Sequence, residues 1–186
     1  MKIEILPGRI DYDGSQIKPL WAYSLGIAGD SIVVFRGAMD ILPHNIKDME
    51  DLQDNKAIKG GDLLHFIVER FDSPASMRLA YYLQRLLVVS TKDVLEGYGV
   101  KSIRNGDDIY VDGGKLTVSI ASAGISSEKV HMGINIISQG TPTDIEVACL
   151  EDHGIADVIG LAKEIASTFT AEIDDIESDM VKTKGL

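Results

Sequence analysis

Asp107-Asp108-Ile109-Tyr110-Val111-Asp112-Gly113-Gly114-Lys115-Leu116-Thr117-Val118-Ser119-Ile120 reads as two strands joined by a tight turn. Asp108–Val111 meets Lys115–Ala121 across Asp112-Gly113-Gly114, residues that tolerate the positive φ a hairpin demands. Side chains alternate along a strand, so Leu116, Val118 and Ile120 are expected on one face and Lys115, Thr117 and Ser119 on the other. A third strand over Lys129–Ile137 repeats the asymmetry. Val130, Met132, Ile134 and Ile136 alternate with His131, Gly133, Asn135 and Ile137. Together these strands predict a core face and a second face carrying Lys115, Thr117, Ser119, His131, Gly133 and Asn135. A polar face is ordinarily the solvated side of an antiparallel sheet. Gly133 argues for more, because glycine inside a strand weakens it and often marks the close approach of a ligand or backbone.

Outward from this hairpin, Ser31–Arg36 is a β-branched run and Leu63–Phe71 a second apolar one; both read as strands. Ser73-Pro74 supplies an N-cap and a first-turn proline, and Leu79, Tyr82, Leu83, Leu86 and Leu87 follow at helical spacing. The expected helix covers Pro74–Val89, with a shorter one over Lys92–Glu96 stopped by Gly97 and Gly99. Ile159, Ala162, Ile165, Phe169, Ile173, Ile176 and Met180 predict a long amphipathic helix over Ala156–Met180, with a break near Thr168–Thr170. Met39–Lys59 reads as a long irregular segment with one helical turn around Lys47–Leu52, and such loops are often functional. Hairpin-linked strands with segregated helices give an α+β class: a largely antiparallel central sheet flanked by helices. Residues 1–186 are expected to form a single domain.

Composition is ordinary for a globular chain, with 45% hydrophobic and 25% charged residues. The net charge of −11 argues against broad nucleic-acid binding, since an acidic surface repels phosphate backbones. No uncharged apolar stretch approaches the ~18 residues that span a bilayer, so no membrane association is expected. Cys149 is the single cysteine and has no internal disulfide partner. With an N-terminus that does not read as a signal peptide, this places the chain in the cytoplasm. The long C-terminal helix and the sheet edges leave room for a homodimer.

Other candidates carry less. Gly113-Gly114-Lys115-Leu116 lacks the leading glycine and trailing hydroxyl of a P-loop. The four histidines lack metal-ligand spacing, so no metal site is expected. His65 and Glu69 share a strand face and read as a satisfied pair rather than an acid–base couple. Arg36, at a strand end before Gly37, is either an anion-binding group or half of a salt bridge. Trp21 reads as core.

The same segments carry a resemblance. Asp107-Asp108-Ile109-Tyr110-Val111-Asp112-Gly113-Gly114-Lys115-Leu116, followed by Gly133-Ile134-Asn135-Ile136, resembles the catalytic hairpin of biotin and lipoate protein ligases in order, spacing and strand context. That likeness covers about thirty residues of this sequence. Tyr12-Asp13-Gly14-Ser15-Gln16, Pro19-Leu20-Trp21 and His65-Phe66-Ile67-Val68-Glu69 resemble an uncharacterised archaeal family, the domain of unknown function numbered 366, over nearly the whole chain. The ligase resemblance implies that Lys115 contacts a substrate carboxylate and the phosphate of an acyl-adenylate, and points to ATP and Mg as cofactors. It implies that Asp108 and Asn135 orient the lysine or the nucleotide. A fixed cation offsets the repulsion when a carboxylate attacks a phosphate, and lysine suits a point charge. The ligases' Arg- and Gly-rich phosphate loop has no counterpart here; its place offers Phe35-Arg36-Gly37-Ala38. The expectation is a ligase- or acyltransferase-like enzyme that binds or activates a small carboxylic acid. The alternative is a non-catalytic module binding a small molecule or nucleotide on the same fold.

Overall fold

The computed structural model describes residues 1–54 and 56–185. Its strands are β1 (Lys2–Arg9), β2 (Ser31–Asp40), β3 (Lys59–Arg70), β4 (Ile103–Asn105), β5 (Asp108–Val111), β6 (Gly114–Lys115), β7 (Thr117–Ala123) and β8 (Glu128–Asn135). Its α-helices are α1 (Trp21–Ser24), α2 (Met49–Gln53), α3 (Met77–Gly97) and α4 (Val158–Lys182). The larger sheet has the order β1-β2-β3-β8-β7, and β4-β5-β6 form a smaller one. Within the larger sheet β1 runs parallel to β2 and every other neighbouring pair is antiparallel. This is the expected α+β architecture.

The central position of β3 explains its sequence. Leu63 to Val68 are all buried, because both faces of the strand are covered, so the run is nearly continuous rather than alternating. On one face Leu64, Phe66, Met132 and Ile134 pack beneath α3 and α4, where Leu87, Ile165 and Phe169 close the main core. Truncating a fully buried Phe169 there would cost about 3–5 kcal/mol. The opposite face carries a smaller cluster, Tyr12, Phe35, Met39, Leu63 and Ile67. Ile10 and Trp21 pack on it from one chain segment, and Ile41 and Ile58 from another.

Several boundaries differ from those the sequence suggests. One helix, α3, replaces the predicted pair, since Thr91 Oγ1 donates to Leu87 O (2.8 Å) and the helix continues through Ser90–Thr91. Its N-cap is Ser76, which accepts from the amide of Leu79, rather than Ser73. The final helix α4 is unbroken across Thr168–Thr170 and is capped by Asp157, whose carboxylate accepts from Gly160 N at 2.8 Å. β1 escapes the sequence pattern because it is mostly exposed and has no buried alternation. The irregular segment is shorter than Met39–Lys59, as its ends belong to β2 and β3; Asn55 within it lies outside the described residues. Among the described residues no helix is long and apolar enough to cross a membrane.

Candidate functional site

A cavity of about 750 Å³ opens over the face of the sheet that carries the smaller cluster. That size suits a small-molecule site. Its floor includes Tyr12, Val118, Ile120 and His131; one wall comes from residues between Ile41 and Asp54 with Lys56–Lys59, and another from Thr141–Val147. Lys115 and Asp108 stand in its lining, with Lys115 Nζ 2.9 Å from Asp108 Oδ2. The backbone of Lys115 is held firmly. Its amide donates to Glu146 O (2.8 Å), its carbonyl accepts from Ala148 N (3.1 Å), and Asn135 Nδ2 donates to the same carbonyl at 3.2 Å.

The predicted grouping of polar residues is divided by the register. Val118 pairs with Gly133 and Ile120 with His131, whereas Thr117 pairs with Ile134 and Ser119 with Met132. Residues paired across an antiparallel ladder share a face. Thr117 and Ser119 therefore lie on the helix side, and Val118 and Ile120 lie beside His131 and Gly133. The cause is a break in alternation between β6 and β7. Leu116 and Thr117 are consecutive yet both fully buried, with Leu116 N donating to Ile109 O and Ile109 N to Thr117 Oγ1. One residue of irregularity moves every later side chain to the other face.

Thr117 is thus a structural acceptor and does not line the cavity. Ser119 touches the cavity rim but is engaged by Gln84 Nε2 (2.8 Å) and Asp107 Oδ2 (3.1 Å). Burial works against the Asp107 carboxylate, yet the bond from Arg85 (2.7 Å) and its charge hold Asp107 below the usual carboxylate range. Gly133 packs under the floor, where a Cβ would sit 3.1 Å from Leu63 and Val118 side chains.

Arg36 and Gly37 are not brought to Lys115. Arg36 Nε lies 3.0 Å from Asp62 Oδ2, and Arg9 Nη1 reaches the same oxygen at 3.1 Å. Burial alone would raise the Asp62 carboxyl; the two guanidinium groups outweigh it and hold the group low. Arg36 lines a different cavity of about 460 Å³, with Arg9 and Ile159. Gly37 packs against backbone: a Cβ there would stand 2.0 Å from Ile10 O. Its carbonyl accepts from His65 Nε2 at 3.2 Å.

His131 sits in a buried aromatic stack that the sequence did not signal. Tyr12 lies over its ring at 3.7 Å, and His65 Nδ1 is 3.1 Å from His131 Nε2. Burial lowers His65 to about 4 and lowers His131 well below its ordinary value, so both rings are neutral at pH 7. Glu69 does not pair with His65. It meets Lys129 (3.4 Å), Ser127 Oγ (3.0 Å) and the amide of Leu20 (2.9 Å).

The lining is a poor match for the triphosphate of the nucleotide implied by the ligase resemblance. Among the described residues no arginine lines the cavity. Lys56 is held by Asp51 (3.0 Å), Lys59 by Asp40 (3.3 Å) and Lys115 by Asp108, while Asp48, Asp54, Asp107 and Asp144 add negative charge. A triphosphate would meet three paired lysines and one, Lys47, that makes no ion pair among the described residues, in an acidic surround. Nor does any group of three or more His, Cys, Asp or Glu converge as a metal site among the described residues.

With this geometry in view, comparison with known proteins is informative. The pattern of the family described as Domain of unknown function (DUF366) matches residues 1–184. The chain belongs to that family. It is 43% identical over 188 aligned positions to an uncharacterized protein of Methanocaldococcus jannaschii, covering 98% of this chain and 84% of that one. A protein of unknown function from Pyrococcus horikoshi superposes with a TM-score of 0.94 at 40% identity, covering 100% and 98% of the two chains. Beyond the family, a putative lipoate protein ligase from Thermoplasma acidophilum with bound lipoic acid is similar with a TM-score of 0.61 at 14% identity, over 94% of this chain and 86% of that one. A biotin protein ligase from Aquifex aeolicus in complex with biotin gives 0.61 at 13%, over 96% and 72%. This DUF366 chain therefore has the fold of the biotin and lipoate protein ligases.

Proposed function

We propose that the cavity is a ligase- or acyltransferase-like site, within a single domain of residues 1–186, that takes a small carboxylic acid through Lys115. The observation that supports this best is the Lys115–Asp108 pair: a lysine on a fixed backbone, in a cavity of about 750 Å³, held by a carboxylate. An arriving acid can exchange for Asp108, trading one ion pair for another. Lys115 is less than a third exposed, so the pair is worth more than a fully solvated one. In a transfer reaction the same ammonium offsets negative charge building on the acyl oxygen. Asn135 serves by fixing the Lys115 carbonyl rather than by touching the acid. Pyrophosphate exchange with ATP across a panel of small carboxylic acids, on wild type and Lys115→Ala, tests the ligase form. Exchange that disappears in a still-folded Lys115→Ala protein supports it. Silence across the panel with no nucleotide binding sinks it.

A second reading, a binding module without turnover, is favoured by the acidic lining and by the departure of Arg36 to Asp62. It expects small acids to raise the melting temperature with no product formed.

A further inference from the structure

The end of the cavity away from Lys115 is governed by hydrogen bonds that leave little choice of protonation. Gly37 O can only accept, so His65 Nε2 carries a proton. A neutral His65 then has a bare Nδ1, and the 3.1 Å contact requires His131 Nε2 to donate to it. A neutral His131 in turn has a bare Nδ1. That atom has no hydrogen-bond partner among the described residues, and it is not one of the sealed, unpartnered side-chain atoms such as Ser31 Oγ or Gln84 Oε1. His131 lines the cavity and is only 1% exposed, so the little of it that is accessible faces that cavity. Tyr12, stacked within 10° of parallel, fixes the ring plane.

We infer that His131 Nδ1 is an obligate hydrogen-bond acceptor at the far end of the cavity, and that it selects carboxylic acids bearing an N–H or O–H donor opposite the carboxylate. The inference rests on the reading of this cavity as an acid site. Its geometry is consistent with a single ligand touching both ends. Asn135 bonds the Lys115 carbonyl, and His131 lies four residues back along β8 from Asn135. Strand rise puts roughly 13 Å between the backbones of His131 and Asn135, the length scale of an extended ten-carbon acid. Val118, paired with Gly133 between these ends, supplies an apolar floor for the chain, and Ile120 stands beside His131. An all-aliphatic acid would leave the nitrogen dry and unpaired, whereas a donor restores its bond.

The test is calorimetric titration of decanoate, ω-hydroxydecanoate and the matching ω-amide acid against wild type, His131→Gln, His131→Leu and Lys115→Ala. Wild type is expected to bind the two donor-bearing acids about tenfold more tightly than decanoate. That preference persists in His131→Gln, whose amide can donate to His65 and still accept from the ligand, and collapses in His131→Leu. Lys115→Ala weakens all three acids while preserving their ratio. Equal wild-type affinities, or a preference kept by a folded His131→Leu protein, overturn the inference while leaving Lys115's role intact. Absence of any acid binding, or indifference to Lys115→Ala, overturns both readings. Nitrogen NMR of the wild-type imidazoles gives an independent check should His131→Leu fail to fold: an Nε2–H tautomer at His131 is expected, and an Nδ1–H tautomer overturns the inference.

Discussion

Lys115 Nζ lies 2.9 Å from Asp108 Oδ2, with the two side chains 29% and 23% exposed. Asp108 thus occupies the lysine as an internal competitor for any carboxylate that enters. Asp108→Asn should tighten binding of a small acid several-fold, roughly the worth of a partly solvated ion pair. Titration with decanoate would show this, and weaker binding in Asp108→Asn would mean that Asp108 assists rather than competes.

Gly37 is expected to matter for folding and not for ligand. A Cβ at this position would stand 2.0 Å from Ile10 O and 3.1 Å from Asp11 N, which are backbone atoms that cannot swing aside. Gly37→Ala should cost about 1–3 kcal/mol of stability, read by chemical denaturation. Gly133→Ala meets only side-chain ends at 3.1 Å and should cost less.

Acid should destabilise the protein through its buried imidazoles. In an unfolded chain histidine titrates near ~6.5, while burial lowers His65 to about 4 in the fold. Between those values the unfolded state holds a proton that the folded state refuses. The contribution is complete above ~6.5 and is lost as pH falls toward 4, at up to ~1.4 kcal/mol per pH unit for each group. His131 moves in the same direction. Melting temperatures measured stepwise from neutral to acid pH should fall through this window, and His65→Gln should flatten the decline.

Lys129 and Glu69 form a buried pair, 3% and 4% exposed, at 3.4 Å. Lys129→Met leaves the Glu69 charge with only Ser127 and the Leu20 amide, and should cost about 3–5 kcal/mol. Adding Glu69→Gln to that variant should recover part of the loss, because the orphaned charge is then gone. A double-mutant cycle by denaturation measures both effects.

The helices and central strands were legible because burial writes a period into the chain. Leu83 and Leu87 in α3, and Ile165, Phe169 and Ile173 in α4, face one core and repeat at helical spacing. Lys115, Asp108 and Asn135 were singled out by the ligase resemblance, and the fold brings all three into the lining of one cavity. Arg36 was not assignable between its two roles, since its partner Asp62 is distant in sequence and joins it only when β2 pairs with β3.

Sequence by itself determined the central strands, the helical segments and the α+β class, since local spacing and hydrophobic burial suffice for those. Tertiary structure alone decided which face each residue of β7 presents. Alternation has period two, so a single irregular step at Leu116 reverses the phase without leaving a mark in the pattern. It alone also placed His131 beneath Tyr12 and against His65, because those contacts join segments whose proximity is a property of the folded sheet.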